Sequence, residues 1–351
     1  MEANPMLGVF LHAVGGLAAG SFYLPFKKVR GWSWETYWAV GGVFSWIIAP
    51  LVAASLLNPR LFEILSSAPA AALFNTYLFG VLWGVGGLTF GLTMRYLGLS
   101  LGYALALGLC ATFGTLLPPL FEGTLGVLLT QASGWAILLG VCVCIAGIGV
   151  SGWAGVLKER ELSVAEKANA VAEYQFTKGV WVAVFCGIMS ACMAFAFQAG
   201  KPIAGLAIEM GTPDIWQNTP VLVVVLLGGF TTNLIWCALL HYSNGTVGEY
   251  LDTAKPGMVW NYIFSAIAGV TWYLQFFFYG MGTTRMGEYD FSSWSLHMAF
   301  IIVFSNLWGL WLREWSGTSP KAKGLLQGGI AVLILSTLII GVGNYLKDAT
   351  P

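Results

Sequence analysis

The sequence predicts an all-α integral membrane protein of ten transmembrane helices, arranged as two inverted five-helix repeats. Three observations carry this. Of 351 residues, 57% are hydrophobic and 9% are charged, with a mean hydropathy of +0.75. A soluble domain averages about 45–50% apolar and about 25% charged residues. Apolar runs of the roughly 20 residues needed to cross the hydrocarbon core recur along the whole chain. One sustained polar stretch, KERELSVAEKANAVAEYQF from Lys158 to Phe176, divides those runs into two sets of five.

The first set of expected spans lies near 6–25, 36–57, 73–96, 99–120 and 134–153. The chain opens with Glu2, has no basic leader region and shows no small-residue cleavage site after the first run, so that run is expected to remain as a span. Span 1 ends in small residues followed by Pro25-Phe26-Lys27-Lys28. Small residues four apart, Gly80 with Gly84, Gly87 with Gly91 and Gly98 with Gly102, let helices approach closely in lipid. The second set lies near 178–199, 217–240, 257–281, 290–312 and 324–346. The organisation is therefore a first repeat at 1–155, a connecting loop at 156–176 and a second repeat at 177–351.

Orientation follows from basic residues. The connections after each odd-numbered span hold Lys27, Lys28, Arg30, Arg95, Lys158, Arg160, Lys167, Lys178, Lys255, Arg313, Lys321 and Lys323. The opposite side holds only Arg60, Lys201, Arg285 and Lys347. The positive-inside rule puts the first group in the cytoplasm and both termini outside, on the periplasmic side of a bacterial inner membrane. An odd number of spans per half makes equivalent spans insert upside-down, as in inverted-repeat transporters. Parallels between the halves agree. Ala199-Gly200-Lys201-Pro202 closes span 6 much as Pro25 to Lys28 closes span 1. Trp83 and Trp272 sit comparably in spans 3 and 8.

Ionisable and amide groups inside spans are costly and are functional candidates. At 1.5 Å per residue, His12 lies about 9 Å below the outer surface, His297 about 10 Å and Gln275 about 9 Å. Asp290, Trp294 and His297 are spaced i, i+4, i+7 and share a helix face. Trp272, Gln275 and Tyr279 line another face. So do His12, Gly16, Gly20 and Tyr23 on span 1, and Ser190, Ala194, Gln198 and Lys201 on span 6. Aromatic planes interleaved with amides, a carboxylate and imidazoles suit a small polyhydroxylated ligand, the rings covering its apolar face. The candidate substrate-binding residues are His12, Tyr23, Trp83, Gln198, Trp272, Gln275, Tyr279 and Trp294. Imidazole loads and releases protons near neutrality. A carboxylate at the membrane boundary does so once desolvation raises its pKa. His297, Asp290, His12 and Glu35 are accordingly the proton-coupling candidates, and Asp290 also suits a helix N-cap. Lys27, Lys28 and Arg95 serve as topology determinants or, as further candidates, in transport. Asn233 is a polar group in span 7.

Other classes are disfavoured. A net charge of zero gives no electrostatic case for nucleic acid. The cysteines lie in apolar runs, where a free thiol behaves as a small hydrophobe. Cys142-Val143-Cys144 points its thiols to different helix faces, which is poor geometry for a metal. His12, His241 and His297 lack the H-E-x-x-H spacing of an intramembrane metallohydrolase. Neither an enzyme nor a cofactor or metal site is expected. A multidrug exporter would want a carboxylate in the middle of a span, whereas the acids here lie at span ends, which favours a neutral substrate.

Several long strings resemble the L-rhamnose–proton symporter family. They are H-A-V-G-G-L-A-A-G-S-F-Y-L-P-F-K-K-V (His12 to Val29), W-S-W-E-T (Trp32 to Thr36), G-L-T-M-R-Y-L-G (Gly91 to Gly98), L-K-E-R (Leu157 to Arg160), W-Y-L-Q-F-F-F-Y (Trp272 to Tyr279) and Y-D-x-x-S-W-x-L-H-M (Tyr289 to Met298). The resemblance extends from span 1 to Glu314-Trp315. It implies the ten-helix inverted repeat of the drug/metabolite transporter superfamily and uptake of L-rhamnose, or a related deoxysugar, driven by inward proton movement. Matching motif residues are His12, Tyr23, Lys27, Lys28, Trp32, Trp34, Glu35, Arg95, Trp272, Gln275, Tyr279, Asp290, Trp294 and His297. The chain departs from the family pattern around Gly86 to Thr89, around Gln198 and in the connection from His241 to Lys255, which bears on the exact sugar. The expected partners are a small sugar, protons and the lipid bilayer. The competing reading is an exporter or exchanger of the same superfamily fold.

Overall fold

The computed structural model describes residues 4–97, 99–121, 123, 126, 129–161, 175–252, 257–287, 292–313 and 315–349. Helix α1 runs Pro5–Phe26 with one break at Phe22. Pro5 starts it, where a missing N–H is harmless, and the Asn4 side chain caps it by accepting from the Leu7 N–H at 3.1 Å. Helix α2, Trp34–Leu57, contains a π-turn at Phe44–Ile48 and gives way at Asn58-Pro59, since proline cannot continue it. A short α3, Leu61–Ser67, leads into α4, Ala70–Leu97, then α5, Leu99–Phe121, and α6, Ala132–Glu161.

The second half opens with α7, Phe176–Ala199, followed by the short α8, Lys201–Glu209, and α9, Thr219–Asn244. Gly245 ends α9 in the left-handed conformation at φ +67°, which only glycine takes without penalty. Then come α10, Met258–Thr283, α11, Ser293–Trp311, and α12, Pro320–Ala349. Among the described residues, nine helical stretches are long and apolar enough to cross a membrane. The further span expected near 99–120 coincides with α5, Leu99–Phe121, in which Leu105–Phe121 is an apolar helical stretch among the described residues.

Consecutive long helices run antiparallel, so the connections gather at two ends. One end holds the Arg30–Ser33 segment, the end of α6 and the turn after α9, and carries most of the basic residues; it is called the basic end below. There the Glu161 carboxylate accepts from the Ser319 N–H at 2.7 Å and from the Ser319 hydroxyl, tying α6 to the start of α12. At the opposite end the Asn4 N–H donates to the Arg285 carbonyl at 3.0 Å, and Asn344 donates to Ser292 at 3.0 Å.

The helix neighbours are α6 with α12, α4 with α7 and with α9, α7 with α5, α1 with α10 and with α11, α2 with α10, and α5 with α6. Two crossings have no room for a side chain. A Cβ on Gly80 of α4 would strike the Val225 carbonyl of α9, and one on Gly228 would strike the Tyr77 carbonyl. In the same way, a Cβ on Gly269 of α10 would strike the Gly41 carbonyl of α2. Gly80 and Gly84 thus pack as their spacing suggests. Gly87 and Gly91 do not: nothing lies within 4 Å of a Cβ at either position. A shared helix face does not say which face meets a neighbour. Gly102 packs on Met94, and Gly98 lies outside the described residues.

Candidate functional site

The core between the helices is a continuous set of rings with a few polar groups inside it. His12 comes from α1; Trp272, Phe276 and Tyr279 from α10; Trp294 and His297 from α11; Trp83 from α4; Trp46 from α2; Phe197 from α7. His12 and His297 are fully buried, and Trp294 is 2% exposed. The His12 ring centroid is 5.4 Å from Tyr279 and 6.3 Å from His297, and Tyr279 is 5.2 Å from His297 and 5.6 Å from Trp294. The two histidines, placed at similar depth by counting residues, do meet.

Local packing fixes this cluster. Trp294 Nε1 donates to the Cys110 carbonyl of α5 at 3.0 Å, and Gly114 leaves the gap the indole fills. Gly282 leaves room for His12, since a Cβ there would stand 2.7 Å from the imidazole. Gly15 does the same beside Gln275, whose backbone carbonyl would be 2.9 Å from a Cβ, and His297, at 3.3 Å. Gln275 itself is 5% exposed, about one helical turn nearer the basic end than Tyr279. No ring nitrogen of His12 or His297 has a hydrogen-bond partner among the described residues. Leaving a buried polar group unpaired costs about 1–3 kcal/mol, so such groups call for an explanation such as a ligand, a proton or water.

Phe276, 6.3 Å from His297, links this cluster to a second one. There Trp272 sits 5.5 Å from Trp83, 5.3 Å from Trp46 and 5.0 Å from Phe276, mostly edge-to-face. On the other side of Tyr279, a cavity of about 60 Å³ is lined by Gly114, Pro118, Ala194, Phe197, Gln198, Lys201, Asn218, Tyr279 and Thr283. That is room for a few waters. It brings together Ala194, Gln198 and Lys201, three of the four residues expected on one face of α7 and its extension. Asn218 Nδ2 donates to the Gly280 carbonyl at 2.8 Å and to Thr283 at 3.0 Å, holding this wall.

Other candidates stand elsewhere. Tyr23 is 44% exposed near the basic end, beside Phe22, Phe26 and Trp38. It shares a stripe with His12, but eleven residues of helix put about 16 Å between them. Glu35 is buried at the basic end, bonded to Asn244 and Thr246. Lys28 Nζ lies 5.3 Å over the Phe264 ring. Lys27 belongs to the same basic end. Asn233 accepts from Trp38 Nε1 at 3.1 Å, a link between α9 and α2. Asp290 and the Arg95 side chain lie outside the described residues. The residue before the first described turn of α11 is Ser292. Phe276, Trp46, Phe197 and Asn218 were not singled out by the sequence. Phe276 was within reach, being four residues from Trp272 and three from Tyr279 on the same helix.

A buried polar cluster enclosed by helices that cross a bilayer defines a multi-span membrane protein of the solute-carrier kind, in which side chains shield a path from lipid. The chain belongs to the L-rhamnose-proton symport protein (RhaT) family, whose pattern it matches over residues 1–345. It is 42% identical over 340 residues to the L-rhamnose-proton symporter of Cronobacter sakazakii, covering 96% of this chain and 97% of that one. It is 40% identical over 341 residues to the proteins of the same name from Yersinia pestis and Yersinia pseudotuberculosis, covering 96% of this chain and 98% of each. The family is one of transporters rather than enzymes.

Proposed function

We propose that this protein is a secondary active transporter that imports L-rhamnose, or a closely related deoxysugar, together with protons by alternating access. The observation that carries this reading is the pair of buried histidines with unpartnered ring nitrogens, set among Tyr279, Trp294 and Phe276. Rings cover the apolar face of a methylpentose, while the imidazoles and the amide of Gln275 bind hydroxyls. The same imidazoles are the proton carriers, with Asp290 assisting at the outer end of span 9. Gln198 and Lys201 line the approach to Tyr279, and Trp83 and Trp272 form the floor.

Ten spans in two inverted repeats, 1–155 and 177–351, form the moving parts, with 156–176 as the cytoplasmic connection. The neighbour pattern supports this. Exchanging span 1 with 6, 2 with 7, 3 with 8, 4 with 9 and 5 with 10 turns the α1–α10 contact into α7–α4, and α1–α11 into α7–α5. It also turns α4–α9 into α10–α2, leaves α6–α12 as itself, and swaps the Gly80 crossing with the Gly269 crossing. The basic end faces the cytoplasm and both termini face the periplasm of a bacterial inner membrane.

The test is uptake of labelled sugar by the full-length protein in liposomes with an inward proton gradient. L-rhamnose should accumulate, and collapse of the gradient should abolish accumulation. Uptake of L-lyxose, L-mannose or L-fucose in preference to L-rhamnose would move the specificity, and accumulation that ignores the gradient would defeat the coupling.

A further inference from the structure

Trp46 is 4% exposed and belongs to the π-turn at Phe44–Ile48. A buried indole N–H normally finds an acceptor. Two others in the core do: Trp38 Nε1 donates to Asn233, and Trp294 Nε1 donates to the Cys110 carbonyl. Among the described residues, Trp46 Nε1 is the one buried indole nitrogen without a partner. Its ring meets Trp272 of α10. That helix starts at the basic end, and Trp272 comes seven residues before Tyr279, which meets both histidines. The Trp272 level is therefore about 10 Å nearer the basic end than Tyr279.

Three indoles from three helices converge at this level. Trp272 stands 5.3 Å from Trp46 of α2, edge-on, and 5.5 Å from Trp83 of α4, tilted by 37°. Glycines leave the space for two of them: a Cβ on Gly42 would stand 2.7 Å from the Trp46 ring, and one on Gly229 would stand 2.5 Å from Trp83. Phe276 meets Trp272 at 5.0 Å and Trp83 at 5.3 Å, and lies 6.3 Å from His297, so rings run without a gap from the histidines to the indoles. Beside Trp46 and Trp272 is a cavity of about 10 Å³, lined also by Phe22, Trp38 and Ser45. It has room for about one water. A water needs about two to four polar partners, and this wall offers little beyond the Ser45 hydroxyl, which is directed at the Gly42 carbonyl at 3.4 Å. The unmet N–H therefore points to a larger ligand that enters when the helices part.

We propose that Trp46, Trp83 and Trp272 form a second sugar subsite, between the histidines and the basic end, in which the Trp46 N–H donates to a hydroxyl of the sugar. The proposal deepens the reading above and rests on it. Indole faces cover the C–H surface of a sugar ring, and one fixed N–H selects which hydroxyl is presented to it. Trp46 and Trp83 come from the first half of the chain and Trp272 from the second, so rocking of one half against the other opens the space between the rings. A sugar leaving the imidazoles for the basic end then meets a second set of aromatic faces and a donor waiting for it. Trp46 is thus a specificity residue on the inward leg of transport, while the histidines hold the sugar on the outer leg.

The test is calorimetric binding of L-rhamnose, and of its ring-monodeoxy analogues that each lack one hydroxyl, to the purified full-length protein and to Trp46→Phe. The variant keeps an aromatic ring and removes the N–H. Wild type should bind the analogue without the accepting hydroxyl about three- to tenfold more weakly than L-rhamnose, the scale of one neutral hydrogen bond. In Trp46→Phe that one penalty should vanish, while the penalties of the other analogues persist. A packing role for Trp46 would weaken all the sugars by one common factor and keep every penalty, and that result overturns the subsite. If the variant does not fold, a diazirine derivative of L-rhamnose photolysed in the wild-type protein decides. Label on Phe44–Ile48 supports the subsite, and label confined to the residues around His12 and His297 overturns it. No binding of L-rhamnose by wild type overturns the substrate reading and the subsite together, whereas binding with every penalty retained in the variant overturns the subsite alone.

Discussion

His12 and His297 stand 6.3 Å apart with unpartnered nitrogens in a fully buried setting. Replacing either by alanine should lower gradient-driven uptake about tenfold or more, the loss expected when a hydrogen-bonding group in a buried site goes missing. Membrane abundance, measured by immunoblot, should change far less. Equal losses of both would make the imidazoles packing residues. Gly282→Ala should mimic His12→Ala, because its Cβ would stand 2.7 Å from the imidazole and displace it. Normal uptake in that variant would show that the ring position is immaterial. Gln275→Ala should raise the half-saturating sugar concentration about three- to tenfold, the scale of one lost hydrogen bond. The histidines, Tyr279 and Trp294 were legible in the sequence, since an ionisable group in an apolar run stands out and its depth can be counted. Trp46 and Phe276 were not: in a chain with 16 Trp and 22 Phe, no one-dimensional signal separates a ring in the core from one facing lipid. Glu35 was picked as a candidate, but its partners Asn244 and Thr246 are more than 200 positions away and invisible to local spacing.

At the helix level, the two glycine crossings carry the packing. Gly80→Val should be strongly destabilising, on the order of 1–3 kcal/mol or more for overpacking a contact in which backbone must move. Gly87→Ala, facing open space, should leave the melting temperature of the purified protein nearly unchanged. Equal melting temperatures for the two variants would contradict the α4–α9 crossing. The four-residue spacing identified helix-packing glycines correctly at Gly80 and Gly84 and wrongly at Gly87 and Gly91. Spacing gives the face; only the fold says what the face meets. Span limits were legible to within a few residues, as α10 and α11 illustrate, because hydrocarbon thickness fixes helix length. The π-turn at Phe44–Ile48 was not read from the sequence, although Pro50, which has no N–H to give to the Trp46 carbonyl four residues earlier, marks it. It turns α2 at the level of Trp46, which meets Trp272 edge-on at 5.3 Å.

For the molecule as a whole, the pairing of helices under exchange of halves, the basic end and the buried histidine pair all point to one machine. A reporter fused to either terminus should register on the periplasmic face; cytoplasmic reporters at both would invert the orientation. Hydrogen bonds join α2 to α9 and its flanking segments on both sides of the histidines, by Asn58 with Thr212 and Thr219 at one end and by Glu35 and Glu249 at the other. The most direct test is the external pH of a weakly buffered, de-energised suspension of cells expressing the protein when L-rhamnose is added. Proton-coupled import predicts immediate alkalinisation that is lost in His297→Ala. Entry of labelled L-rhamnose with no change in external pH would contradict it.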